Sequence, residues 1–120
     1  MKRHHHRRMY VTTTKTQTIK KENKVFEDTL KSLKNIRLKL KTTKKEDFTK
    51  LLKNLVERKM KELENFGGHN TKSMIDYIED TNRTFITYDA KMFKTNAEKD
   101  LNKLISDIEK AMNMLKMEKN

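Results

Sequence analysis

Residues 63–71 read LENFGGHNT, and within them Gly67 and Gly68 are the only two glycines of the 120-residue chain, set side by side near its middle. Proline is absent, so no other position breaks a helix through backbone chemistry alone. The pair predicts a turn over residues 67–70, with Asn70 or Thr71 as the N-cap of the helix that follows.

Upstream of the turn, Phe26, Leu30, Leu33, Ile36 and Leu40 recur at steps of four, three, three and four and make a one-sided apolar stripe. Thr42 and Thr43 interrupt it, and Thr43 has capping-box spacing with Glu46. A second stripe, Phe48, Leu52, Leu55, Val56, Met60, Leu63 and Phe66, then runs to the glycines. Downstream, Met74, Ile78, Thr81, Phe85, Tyr88 and Met92 form a heptad-like seam. Thr95 and Glu98 repeat the capping-box spacing ahead of Leu101, Ile105, Ile108, Met112 and Leu115, whose phase is shifted from the preceding seam.

These stripes predict an all-α protein: a long antiparallel helical hairpin, paired as a coiled coil and turning at Gly67-Gly68. Its arms occupy residues 19–66 and 71–118. The expected helix-pairing seam comprises Phe26, Leu30, Leu33, Leu40, Leu52, Leu55 and Leu63 on the first arm. Met74, Ile78, Phe85, Met92, Leu101, Ile105, Ile108, Met112 and Leu115 continue it on the second. Were both arms to bend at Thr43 and Thr95, the same residues would build a four-helix bundle. Threonine caps are weaker punctuation than glycine, so the hairpin is expected ahead of the bundle. TFITY at 84–88 lies in phase with the helical seam and gives no strand.

Apolar residues make up only 33 % of the chain, against about 45–50 % in ordinary globular domains. A two-helix core would be thin, which points to a homo-oligomer or a helical protein partner. Cysteine is absent, which removes disulfides and thiolate metal sites. No apolar run has the length of a signal core or a membrane span, so an intracellular site is expected, nuclear or cytoplasmic. Residues 1–18, MKRHHHRRMYVTTTKTQT, contain no acid and no apolar stripe. They are expected to be a flexible basic arm, disordered until it meets a partner. The arm has the composition of a mitochondrial presequence but lacks its apolar face, so that destination ranks behind the other two.

The net charge is +12, and all of it precedes the glycine pair. Residues 1–24 hold eight Lys or Arg against one acid, residues 25–66 twelve against seven, and residues 67–120 nine against nine. Between Asp28 and Glu46 no acid intervenes. On a helical wheel Lys34, Arg37, Lys41, Lys44 and Lys45 gather on one flank of the Phe26 to Leu40 stripe, while Lys31 and Lys39 stand apart. Together with Lys2, Arg3, Arg7, Arg8, Lys15, Lys20 and Lys21, that flank is the expected contact for a polyanion. Zinc-finger spacings, RNP-like aromatics and helix-turn-helix patterns are missing, so contact with nucleic acid would be with the backbone rather than with bases.

Catalysis lacks parts. His4, His5 and His6 are adjacent and flanked by arginines, a poor geometry for a metal, and His69 stands alone. Asp76, Glu79 and Asp80 sit among lysines without a cleft to shift a pKa. Neither a catalytic residue, a metal nor a cofactor is expected. Met114 and Met117 fall off the seam and suit a partner contact. The expected function is a non-enzymatic helical scaffold or assembly subunit that contacts nucleic acid first among polyanions. A cytoskeletal or motile-apparatus component binding acidic protein such as tubulin is the alternative, and a peripheral membrane-surface binder, through the segment Phe26 to Leu40, ranks third.

Overall fold

The computed structural model describes the backbone of residues 2–64 and 68–118 and the side chains of residues 19–64 and 68–117. Four helices follow one another: α1 (Lys2–Lys39), α2 (Lys45–Glu64), α3 (His69–Thr87) and α4 (Ala90–Glu118), with one 3-10 turn at Leu40–Thr42 between the first two. The chain packs as a helical bundle, the architecture ranked second above, rather than as a two-helix hairpin. Gly67, Phe66 and Asn65 lie outside the described residues; Gly68 is the N-cap of α3, with φ −68° and ψ 124°.

Both arms are broken. After the 3-10 turn Thr43 swings to an extended conformation, φ −116° and ψ 137°, which its β-branched side chain adopts readily. The Lys44 carbonyl then accepts the Phe48 N–H at 2.8 Å and opens α2. Among the described residues the Thr43 hydroxyl makes no hydrogen bond, so the expected capping box with Glu46 does not form. Glu46 and Asp47 instead place negative charge in the first turn of α2. In the second arm the break comes at Tyr88–Asp89, earlier than Thr95. There Asp89 caps α4, its Oδ1 accepting the Met92 N–H at 3.0 Å and its carbonyl the Phe93 N–H at 3.0 Å. Thr95 is exposed within α4.

Neighbouring helices run antiparallel. Along α1 and α4, Lys34 pairs with Glu109 at 3.3 Å, Arg37 donates to Asn102 at 2.9 Å, and Lys94 donates to the Lys41 carbonyl at 2.7 Å. Residue numbers rise on one helix as they fall on the other. Between α2 and α3, Asn82 donates to the Thr49 carbonyl at 3.0 Å, and Lys45 Nζ donates to the carbonyls of Ile86 and Tyr88. The order is therefore up, down, up, down, with short connections at both ends. At 1.5 Å per residue α1 spans about 57 Å, most of the 65 Å long axis of a molecule only 25 by 19 Å across. The backbone from Lys2 to Thr18 belongs to this helix, where a flexible arm was expected.

The core is the meeting line of the four stripes. Leu33, Leu52, Leu55, Ile78, Leu101 and Leu104 are fully buried in it. Near the α1–α2 turn, Phe48, Phe85 and Phe93 close an aromatic cluster with centroids 5.8 to 6.2 Å apart. Most of the expected seam is buried, with Leu63 and Met112 half-buried. Met92 is the exception: it is 50 % exposed, and Phe93 beside it takes the core position. The new start at Asp89 resets the phase of α4, so Phe93, Ala97, Leu101, Leu104 and Ile108 turn inward.

One polar contact crosses the bundle to the end of a helix. Glu22 on α1 is 3 % exposed and accepts the Thr71 N–H at 2.9 Å, the Thr71 hydroxyl at 3.3 Å and the Asn70 amide at 3.3 Å. Gly68 has no side chain with which to cap α3, so a carboxylate from another helix satisfies its first turn.

Two stability measurements follow. By chemical denaturation, Phe93→Ala is expected to cost about 3–5 kcal/mol, whereas Met92→Ala stays within about 0.5 kcal/mol of the parent; the reverse ranking would restore the heptad assignment. Glu22→Ala should lose about 1–3 kcal/mol because the Thr71 N–H and hydroxyl are left buried without an acceptor, and Glu22→Gln should recover part of it.

Candidate polyanion interface

A helix in a four-membered ring of helices has neighbours on both flanks of its apolar stripe, and only the face opposite the stripe is left to solvent. This geometry redistributes the cations expected to form one flank. Lys34 and Arg37 turn to α4, where they meet Glu109 and Asn102. Lys45 turns to the end of α3, with Nζ 3.1 Å from the Ile86 carbonyl and 2.7 Å from that of Tyr88. Lys41 and Lys44 are exposed at the end of the bundle, and neither ammonium has a partner among the described residues. The flank is thus divided between helix contacts and the α1–α2 connection.

The residues set apart on the wheel stay on the solvent face as well. Lys31 and Lys39 are exposed on α1 and, among the described residues, have no ion pair or side-chain hydrogen bond, and the same holds for Lys20. Lys21 is also exposed, and Lys24 lies 4.0 Å from Asp28, a weak exposed pair. The same rule applied to α2 brings out Lys50, Lys53, Arg58 and Lys61, all exposed and without a partner among the described residues. Sequence reading missed these four because they stand among acids; placing the Phe48, Leu52 and Leu55 stripe inward would have found them. Lys2, Arg3, Arg7, Arg8 and Lys15 lie on the helical backbone of α1, and their side chains, like those of His4, His5 and His6, lie outside the described residues.

Between α1 and α2 runs a groove of about 460 Å³, with Lys39 and Arg58 at its edges and Ser32, Asn35 and Asn54 along it. Hydroxyl, amide, ammonium and guanidinium groups all donate hydrogen bonds, and phosphate oxygens accept them. The Arg58 guanidinium can take two phosphate oxygens at once. Residues 19–64 carry fifteen Lys or Arg against eight acids.

The other half differs in kind. Residues 68–117 hold eight cations and eight acids, and many are paired with each other. Lys72 meets Asp76 at 3.2 Å, and Arg83 reaches both Glu79 and Asp80. The Tyr77 hydroxyl donates to Asp107, which Lys103 also contacts at 3.0 Å, and the Tyr88 hydroxyl donates to Asp100. The Tyr77 hydroxyl bond and then Lys103 hold the Asp107 carboxyl below the ordinary carboxylate range. Burial, then the Asp107 contact, pushes the Tyr77 phenol up. The Asp100 bond does the same for Tyr88.

Among the described residues no three His, Cys, Asp or Glu side chains converge as a metal site, and no helix is long and apolar enough to cross a membrane. Met114 and Met117 are exposed near the end of α4, and Met114 lines a groove of about 270 Å³ together with Phe26, Met74, Tyr77 and Leu115. Compared with protein-family models, curated proteins and solved structures, the chain matches none of them.

The Asp107 contacts imply a pH signature. A carboxylate lowered in the folded state stabilises it above the carboxylate's unfolded value, near pH 4, and that stabilisation is lost as pH falls through the folded value. Urea midpoints of Asp107→Asn should therefore lie below the parent at about pH 7 and approach it at about pH 2.5; a gap of constant size would rule out the linkage.

Proposed function

We propose that this protein is a non-enzymatic helical assembly or scaffold subunit whose α1–α2 face contacts nucleic acid through the phosphate backbone. The observation that carries the reading is the asymmetry of net charge between the two halves of the bundle, fifteen cations against eight acids over residues 19–64 and eight against eight over residues 68–117. Lys31, Lys39, Lys50, Lys53 and Arg58 face outward on α1 and α2 without partners among the described residues, while the α3–α4 half has no net charge over residues 68–117. A bundle charged on one side orients itself on a polyanion, and each phosphate it neutralises releases a counterion.

The lining of the groove favours nucleic acid over the other anionic surfaces. Ser32, Asn35 and Asn54 supply donors suited to phosphate and sugar oxygens. A membrane-surface helix needs an apolar strip toward lipid, and the Phe26 to Leu40 stripe is spent inside the bundle, with Leu38 the exposed large apolar residue among the described side chains of α1. Acidic protein, such as the tubulin lattice, remains the second reading, and competition between microtubules and nucleic acid separates it from the first. The apolar seams pair with one another within the chain, so any partner helix would have to use another surface, such as the groove beside Met114.

The test is salt dependence. Log affinity for duplex DNA or RNA should fall linearly with log salt, and replacing Lys31, Lys39, Lys50, Lys53 and Arg58 by Gln should flatten the slope by about 0.9 for each cation that had neutralised a phosphate. A parent protein with no salt slope would sink the reading.

A further inference from the structure

The end of the bundle where α1 gives way to α2 and α4 begins contains a cleft of about 400 Å³. The connection Lys41–Glu46 forms one wall, and Ala90, Phe93 and Lys94 form the other. Phe93 is buried in the aromatic cluster with Phe48 and Phe85, which stiffens that side.

Four lysines belong to the cleft, and two are held in place by neutral groups. Lys45 Nζ donates to the Ile86 carbonyl at 3.1 Å and to the Tyr88 carbonyl at 2.7 Å. Lys94 Nζ donates to the Lys41 carbonyl at 2.7 Å. A carbonyl satisfies an ammonium proton without cancelling its charge, and an ammonium has three protons, so both lysines keep positive charge and at least one free donor. Lys41 and Lys44 are exposed, and among the described residues neither their ammonium groups nor the Thr43 hydroxyl has a partner. Against these cations the lining includes a single carboxylate, Glu46. The Asp89 side chain is engaged by the Met92 N–H.

We infer that this cleft binds one phosphoryl group, with Lys45 and Lys94 as anchored cations, Lys41 and Lys44 closing over the anion, and the Thr43 hydroxyl as a further donor. The anchoring matters because two of the four charges lose no side-chain freedom when the anion arrives. Compact phosphoryl groups present several acceptor oxygens to such a ring of donors. The inference goes beyond backbone contact along α1 and α2 and does not rest on it, because the cations of that face are a separate set. Two sources carry the same chemistry: the terminal phosphate of a nucleic-acid strand, and a free pyrophosphate or nucleotide.

The full-length protein titrated with inorganic pyrophosphate, with backbone amide shifts read by NMR, tests the site. Saturable shifts are expected on Thr42, Thr43, Lys44 and Lys94. Removing two charge-assisted contacts in Lys41→Ala/Lys44→Ala should weaken binding roughly tenfold or more, while Lys50→Ala/Lys53→Ala should stay within about twofold, as expected for charges outside the cleft. All four substituted side chains are exposed and unpartnered, so both double variants should keep the helical circular dichroism of the parent. Equal weakening by the two variants, or shifts spread along α1 and α2 without saturation, would overturn the inference. Loss of duplex binding in Lys50→Ala/Lys53→Ala with pyrophosphate binding intact separates the outer face from the cleft and leaves the inference standing. A 5′-phosphorylated oligonucleotide that displaces pyrophosphate better than its 5′-hydroxyl counterpart assigns the cleft to strand ends; equal displacement assigns it to free pyrophosphate or nucleotide.

Discussion

Each helix of this protein carries its apolar residues in one narrow stripe, and a narrow stripe is shielded from water only when helices close around it from several sides. The four-way meeting of α1 to α4 satisfies that constraint. Leu33, Leu52, Ile78 and Leu101 come from four different helices and are all fully buried. Two long helices side by side would have left the edges of each stripe wet over their whole length. Burial at about 25 cal/mol per Å² rewards the folded-back arrangement for every additional apolar face it covers. The breaks at Thr43 and Asp89 are where the chain turns back to make that closure possible.

Closure also decides which charges remain available. On an isolated pair of helices, the flank holding Lys34 and Arg37 would have faced solvent. In the bundle it faces α4, and those side chains find Glu109 and Asn102. Such half-exposed contacts contribute little to stability, but they remove cations from the surface a polyanion could reach. The charge asymmetry of the sequence survives in three dimensions because α1 and α2 are adjacent, while the residues that express it change from the flank to the outer face.

Polar residues tie the ends of the helices together. Glu22 reaches from α1 to the start of α3, Lys45 from α2 to the end of α3, and Lys94 from α4 to the α1–α2 connection. Each satisfies backbone groups that a helix terminus leaves without partners. Asn82 is buried between α3 and α2 and donates to the Thr49 carbonyl, and that directional requirement opposes a slip of one helix past the other. The lysine contacts leave ammonium charge uncancelled at one end of the bundle, which is what makes the cleft there a candidate anion site.

The amino-acid sequence by itself determined the helical class, the turn near Gly68, most of the buried stripe and the confinement of net charge to the first half. Those properties follow from local periodicity and composition, which need no knowledge of neighbours. Tertiary structure alone decided the hairpin-or-bundle question, since a threonine near a helix end permits a cap or a continuation with similar ease and packing settles the matter. It placed the second break at Asp89 rather than near Thr95, which moved Phe93 into the core and Met92 out of it. It also chose the free cations, Lys31, Lys39, Lys50, Lys53 and Arg58 in place of Lys34, Arg37 and Lys45, because the exposure of a helix flank depends on which other helices lie beside it.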